Sequence, residues 1–166
     1  LEDFGPLDGL ILDNRMNGGG SIRALTPVLG YFTSGLVGNF VNRSARRPLE
    51  ITAVPVHNSQ QVPLVVLVSK NTVSYAEVFA GVLQDIGRAK VVGQTTSGRV
   101  ETLYGYYFAD SSKAWIAQER FEPVNSRIGW QGTGVRPDAE ARSQWDQFTF
   151  ENDPVLLVAL KLLQLK

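Results

Sequence analysis

Residues 64–68, Leu-Val-Val-Leu-Val, form an unbroken apolar run with no alternation. This pattern predicts a short strand buried on both faces. The polar turn Ser69-Lys70-Asn71-Thr72 follows it, and then an amphipathic helix with Val78, Phe79, Val82, Leu83 and Ile86 along one side. The same layout occurs earlier. Leu10-Ile11-Leu12 reads as a strand, the glycine-rich stretch from Asp13 to Gly20 as a turn, and Ser21 as the cap of a helix whose apolar face is Ile22, Leu25, Val28, Leu29 and Phe32. Pro27 should kink or shorten that helix, and Gly35 should end it. Residues 36–41 and 49–56 read as strands joined by the basic turn 42–48, and 89–93 as another buried strand.

Residues 102–109 and 113–121 form a hairpin pattern around Asp110-Ser111-Ser112. Its aromatic run Tyr104, Tyr106, Tyr107, Phe108 predicts one face in the core and one partly exposed face for a groove or partner. Residues 122–134 read as an irregular glycine-containing loop. Asp153-Pro154 starts a last helix, Asp as cap and Pro at its first position, presenting Leu156, Leu157, Leu160, Leu163 and Leu165. Alternating strands and helices with buried strands predict an α/β domain.

Composition narrows the function classes. Hydrophobic residues are 43% and charged residues 19%, which predicts a folded chain; the 166 residues suit a single domain over 1–166. Sixteen basic residues balance sixteen acidic ones, so nothing points to a nucleic-acid or anionic-membrane partner. No cysteine is present, which excludes thiol chemistry and thiolate metal sites, and the single histidine, His57, cannot hold a metal without several carboxylates. No metal or cofactor is expected. No stretch reaches the length of a membrane span and no signal peptide is evident. The chain begins at Leu1 in front of a strand-like segment, which reads as a piece of a longer protein.

Ser74 lies between the 64–68 strand and its helix, where unpaired N–H groups and the helix dipole favour negative charge. Read on its own segment it is a helix cap, because Ser74-Tyr75-Ala76-Glu77 fits the S-x-x-E capping box. The alternative is a nucleophile flanked by oxyanion-binding N–H groups.

Three ordered motifs bear on that choice. They are Asp13-Asn14-Arg15-Met16-Asn17-Gly18-Gly19-Gly20 after a strand, Ser74-Tyr75-Ala76-Glu77 after the next buried strand, and Val91 to Gly98 followed by Gly132-Thr133-Gly134-Val135-Arg136-Pro137-Asp138. In this order the chain resembles the peptidase domain of the C-terminal processing (tail-specific) serine proteases over roughly residues 8–165. The resemblance implies the family's crotonase/ClpP-like α/β core of repeated ββα units. It implies a serine endopeptidase acting near protein C-termini through an acyl-enzyme on Ser74. Tyr75 and the turn containing Gly19 and Gly20 would supply the oxyanion N–H groups, since only residues lacking Cβ let backbone approach a substrate so closely. It further implies protein or peptide substrates, an extracytoplasmic location and compatibility with a PDZ module in the same polypeptide.

The chain departs from the family pattern where the proton acceptor is expected. Many members use a lysine in a Thr-Phe-Gly-Lys-Gly motif, and here Thr96-Ser97-Gly98-Arg99 puts Arg99 at that position; the supporting glutamine becomes Leu103. Arginine stays protonated and cannot be a general base. The tricorn-like branch uses a histidine, which would lie upstream of this chain, and a glutamate, whose position is taken by Gln131. Lys70 and His57 read as exposed loop residues, Glu77 as the capping-box partner, and Glu101 as a surface partner for Arg99. Arg99 also has the planar fork suited to a peptide carboxylate. Two readings follow: a peptidase whose base lies outside these residues, or a catalytically dead member serving as a peptide- or ligand-binding module, as in the retinoid-binding repeats of the photoreceptor matrix.

Overall fold

The computed structural model describes residues 2–144 and 149–163. The strand over residues 64–68 forms as β4 (Leu64–Val68), and all five residues are buried. It lies between β1 (Leu10–Asp13) and β5 (Lys90–Gly93), and all three run parallel. A two-residue strand, β8 (Ala139–Glu140), completes this sheet beyond β5. The sequence reading missed β8 because two residues carry no periodic signal.

A second, antiparallel sheet has the order β3-β2-β7-β6. It comprises β2 (Gly35–Val41), β3 (Arg46–Ile51), β6 (Thr102–Tyr107) and β7 (Lys113–Pro123). Strand β3 starts three residues earlier than expected and ends at Ile51. The Asn42 side chain accepts hydrogen bonds from Ser44 and Ala45 N–H groups, closing the turn before Arg46. Pro48 fits because β3 is an edge strand.

Among the described residues, three α-helices complete the fold: α1 (Ile22–Gly30), α2 (Tyr75–Asp85) and α3 (Pro154–Leu162). The alternate faces of β4 explain its lack of polar positions. Leu64, Val66 and Val68 join Leu29, Val78, Val82 and the second sheet's Val37, Phe40 and Phe121 in the main core. Val65 and Leu67 face Val155 and Ala159 of α3.

Several expectations are corrected at element ends. Helix α1 stops at Gly30 with Tyr31 as its C-cap, and Gly35, at φ +85°, opens β2 rather than ending the helix. Ser21 occupies the N-cap position without a side-chain cap bond. Pro27 sits inside α1, which is only nine residues long. Asp153 caps α3 as expected, accepting from Val155 N–H at 3.0 Å. The buried side of α3 differs from the leucine stripe: Val155 and Ala159 face the sheet, while Leu157 is half exposed. Of the expected leucines, Leu163 packs against this cluster, and Leu156 and Leu160 are partly buried. Leu165 lies outside the described residues.

Candidate active site

The loops after β1 and β4, at the C-terminal ends of neighbouring parallel strands, are zipped together by polar side chains. Thr72 Oγ1 donates to Asn14 O at 2.8 Å, Ser69 Oγ to Arg15 O at 2.6 Å, and Val73 N–H to Asn17 O at 3.0 Å. The buried Asn14 side chain donates to Ala76 O at 2.9 Å, reaching into the first turn of α2. These bonds give the Asp-x-Arg-x-Asn pattern its physical content. Arg15 is itself buried and pairs with Asp13 and with the buried Asp153, each at 2.6 Å, tying the cap of α3 to the end of β1.

Ser74 stands where the zipped loops meet. Its backbone has φ +60° and ψ −129°, a conformation that non-glycine residues rarely adopt and that costs on the order of 1–3 kcal/mol. The hydroxyl makes no side-chain cap bond. The capping-box residues are in place, and Glu77 Oε2 accepts the Ser74 N–H at 2.9 Å. Gly19, at φ +102°, passes so near that a Cβ on it would lie 2.8 Å from Ser74 Cβ and 3.3 Å from Ser74 Oγ. The glycine turn therefore passes close beside the serine, where a side chain would not fit. The Gly19 N–H donates to Asn17 Oδ1 at 3.0 Å. The N–H groups of Gly20 and of Tyr75, the first residue of α2, have no partner among the described residues.

Glu77 does more than the sequence reading assigned to it. Its side chain is fully buried and accepts four hydrogen bonds. Oε1 takes Thr96 Oγ1 at 2.5 Å and Gly98 N–H at 2.6 Å; Oε2 takes Ser74 N–H and Arg99 N–H at 3.0 Å. Because Ser74 and Arg99 share one oxygen, their backbone nitrogens are no more than about 6 Å apart. Arg99 is thus brought beside the serine. The signal was present in the sequence, since a glutamate inside an otherwise apolar buried helix needs donors from elsewhere in the chain.

Arg99 is exposed and its Nε donates to Ser97 Oγ at 2.7 Å. Gln131 is not directed at the serine: its Oε1 accepts Val100 N–H at 2.9 Å, and Gly132 N–H donates to Gly98 O at 2.8 Å. Trp130 seats this turn, stacking on Phe121 at 5.8 Å and filling the space left by Gly81 on α2. Leu103 is half exposed on β6. His57 sits in the turn before β4, at the opposite end of that strand from Ser74, with its ring 3.0 Å from Glu2 O. Lys70 is exposed. None of these groups bonds the Ser74 hydroxyl among the described residues.

Tyr75 packs edge-on to Phe40, with ring centroids 6.1 Å apart, and its hydroxyl meets Thr102 Oγ1 at 3.3 Å. Burial raises its pKa, only partly opposed by the Thr102 hydrogen bond. Between α1 and α2 lies a cavity of about 310 Å³. Gly19, Gly20, Tyr75, Ala24, Val28 and Phe79 are among the residues that line it. Its lining is mainly apolar and includes both neighbours of Ser74's site, Gly19 and Tyr75, so it has room for an apolar group.

The site has the parts of a serine-hydrolase turn: a strained strand-to-helix serine, unpartnered N–H groups beside it and an apolar cavity at its flank. Residues 1–141 match the model of Peptidase family S41. The chain belongs to that family. A carboxyl-terminal-processing protease of Synechocystis is 37% identical over 140 residues, covering 83% of this S41 chain and 32% of the relative. The chloroplastic carboxyl-terminal-processing peptidase 3 of Arabidopsis thaliana is also 37% identical, over 134 residues, covering 78% and 25%. Among solved structures, a photosystem II D1 C-terminal processing protease superposes with a TM-score of 0.73 at 28% identity, covering 82% of this chain and 35% of that one. The tricorn protease, at 20% identity and a TM-score of 0.67, shares the fold. The family is thus one of C-terminal processing serine proteases with an α/β core, as the ordered motifs implied. The S41 chain spans between a quarter and a third of the length of these curated relatives.

Proposed function

We propose that residues 1–166 carry the nucleophile and oxyanion site of a serine endopeptidase that cleaves proteins near their C-termini. Ser74 Oγ attacks the scissile carbonyl carbon and passes its proton to a base. The carbonyl oxygen, now negative, is held by Tyr75 N–H and by the Gly19–Gly20 turn. The C–N bond then breaks, the departing amine takes up the proton, and an ester on Ser74 remains for water to hydrolyse. The observation that carries this reading is the strained Ser74 backbone pressed against Gly19. A helix cap needs neither the positive φ nor the close approach. The proton acceptor in this reading lies outside residues 1–166. Arg99 cannot serve, and Glu77 has its oxygens occupied by four donors. An extracytoplasmic location and a PDZ module in the same polypeptide are part of the proposal.

Arg99 favours a second reading, in which the domain binds peptide without cleaving it. A fixed cation about where the family lysine stands pairs with a carboxylate, including a peptide C-terminus. The experiment that separates the two treats the full-length protein with a fluorophosphonate and reads the adduct by mass spectrometry. Labelling that is lost in Ser74→Ala supports the peptidase. A folded protein that takes no label refutes it and leaves the binding reading, for which Arg99→Ala should abolish the preference for a peptide acid over its amide.

A further inference from the structure

The hairpin of β6 and β7 departs from expectation in a way that points to a second binding element. Both of its faces are exposed, not one. Leu103 and Tyr107 on one face of β6 are 53% and 69% accessible, and Tyr104 and Tyr106 on the other are 43% and 42%. Opposite them on β7, Trp115 and Ile116 are 61% and 51% accessible. Strand β6 is the outermost member of its sheet, paired only with β7 among the described residues. One full edge of its backbone N–H and C=O groups is therefore unpaired.

Edges of this kind are ordinarily blunted by charge, proline or bulges, because they template the addition of another strand. Residues 102–107 contain no charged residue and no proline, and the single register irregularity lies at the base, between Thr102 and Leu103. Over residues 102–117 the only charges are Asp110 and Lys113, both near the hairpin turn. A partner suited to this edge is extended, uncharged and apolar at alternate positions.

The position of the edge selects among such partners. Strand β6 begins three residues after Arg99, and Thr102 at its base meets the hydroxyl of Tyr75, the residue after Ser74. The open edge thus starts beside the serine and runs outward from it. We propose that β6 is a strand-addition site that captures an extended, uncharged segment of a polypeptide and aligns it toward the Ser74 turn. Backbone pairing supplies affinity for any such sequence, and the alternating aromatic side chains select apolar ones. This rests on the peptidase reading only for the fate of the captured segment.

The test uses the full-length protein carrying Ser74→Ala and a fluorescent eight-residue peptide alternating leucine and threonine. Two further versions are N-methylated at every leucine or at every threonine. A peptide added as a strand presents alternate N–H groups to the edge, so one methylated series should lose about tenfold or more in affinity and the other should not. Tyr104→Thr with Tyr106→Thr, which keeps strand propensity, should weaken the unmodified peptide about tenfold or more. Equal behaviour of the two methylated series overturns the proposal, as does unchanged binding by the double variant or no binding by the parent. Concentration-dependent self-association through the hairpin in place of peptide binding also overturns it. Fluorophosphonate labelling of the protein with native Ser74 is scored separately. Normal labelling without the methylation pattern removes the strand site alone, and the pattern without labelling removes only the peptidase reading.

Discussion

The Glu77 carboxylate offers the sharpest quantitative test of how the site is built. Glu77→Gln preserves size and shape but replaces one acceptor oxygen by an NH2 group. If the amide nitrogen faces Ser74 and Arg99, both of their N–H groups lose an acceptor. If it faces Thr96 and Gly98, the Gly98 N–H is orphaned, and Thr96 Oγ1, which already accepts Val135 N–H at 2.8 Å, must turn its own hydrogen elsewhere. The second arrangement is the cheaper. A buried unsatisfied donor costs about 1–3 kcal/mol, and a lost hydrogen bond to a charged acceptor is of similar size. The expected destabilisation is about 2–4 kcal/mol, or a drop in Tm of roughly 5–15 °C for a domain of this size. Urea unfolding followed by tryptophan fluorescence measures the first quantity and calorimetry the second. In the cheaper arrangement an oxygen still accepts Ser74 N–H, so the fluorophosphonate labelling rate of the folded protein should change less than its stability. A Glu77→Gln protein within about 0.5 kcal/mol of the parent would refute the four-donor arrangement.

Two further outcomes follow from the same loops. Gly19→Ala combines a positive φ with a Cβ 2.8 Å from that of Ser74. It should cost about 1–3 kcal/mol of stability and suppress labelling far more than that loss explains, as intact-mass kinetics on folded protein would show. At the α3 cap, burial pushes the Asp153 carboxyl up, but the Ser143 hydrogen bond and the Arg15 guanidinium outweigh it and hold its pKa below the ordinary range. A depressed pKa contributes stability that is present above the unfolded-state value and lost as pH falls through the folded one. Asp153→Asn should therefore cost about 3–5 kcal/mol near neutrality and narrow the gap to the parent below about pH 4, as urea titrations across pH would reveal. Parallel stability curves would contradict the pairing.

Much of the fold was legible where local pattern and burial agree. The non-alternating run of β4 could only be a strand covered on both sides, and α3 and the Leu64–Asp85 strand–turn–helix unit formed with their predicted starts. Pattern failed where tertiary contacts decide. Gly35 looks like a helix stop, yet it begins a strand because Phe32 is already needed in the core just past the end of α1. The hairpin aromatics implied a core face, but only the base of the hairpin, at Phe121, reaches the core. At the site, the glycine turn pointed to a place where backbone comes close to something, but its approach to Ser74 emerges only in the structure. The roles of Glu77, Asn14 and Thr96 were not legible, because each is fixed by hydrogen bonds to residues distant in sequence. Gln131, which the resemblance puts at a glutamate position, accepts the Val100 N–H, a bond that no local pattern foretells.

The shared acceptor on Glu77 has a further consequence for how this domain can change its chemistry. The loop through residues 96–99 is held on Glu77 by the Thr96 hydroxyl and by the main-chain N–H groups of Gly98 and Arg99, while the side chain at 99 adds only its exposed bond to Ser97. Position 99 therefore behaves as a socket: the backbone fixes its distance from Ser74 whichever side chain occupies it. Lysine and arginine can be exchanged there without rebuilding the loop. In the two proposed readings, the proton acceptor of the family pattern and a carboxylate-binding arginine would therefore occupy one position on the same scaffold.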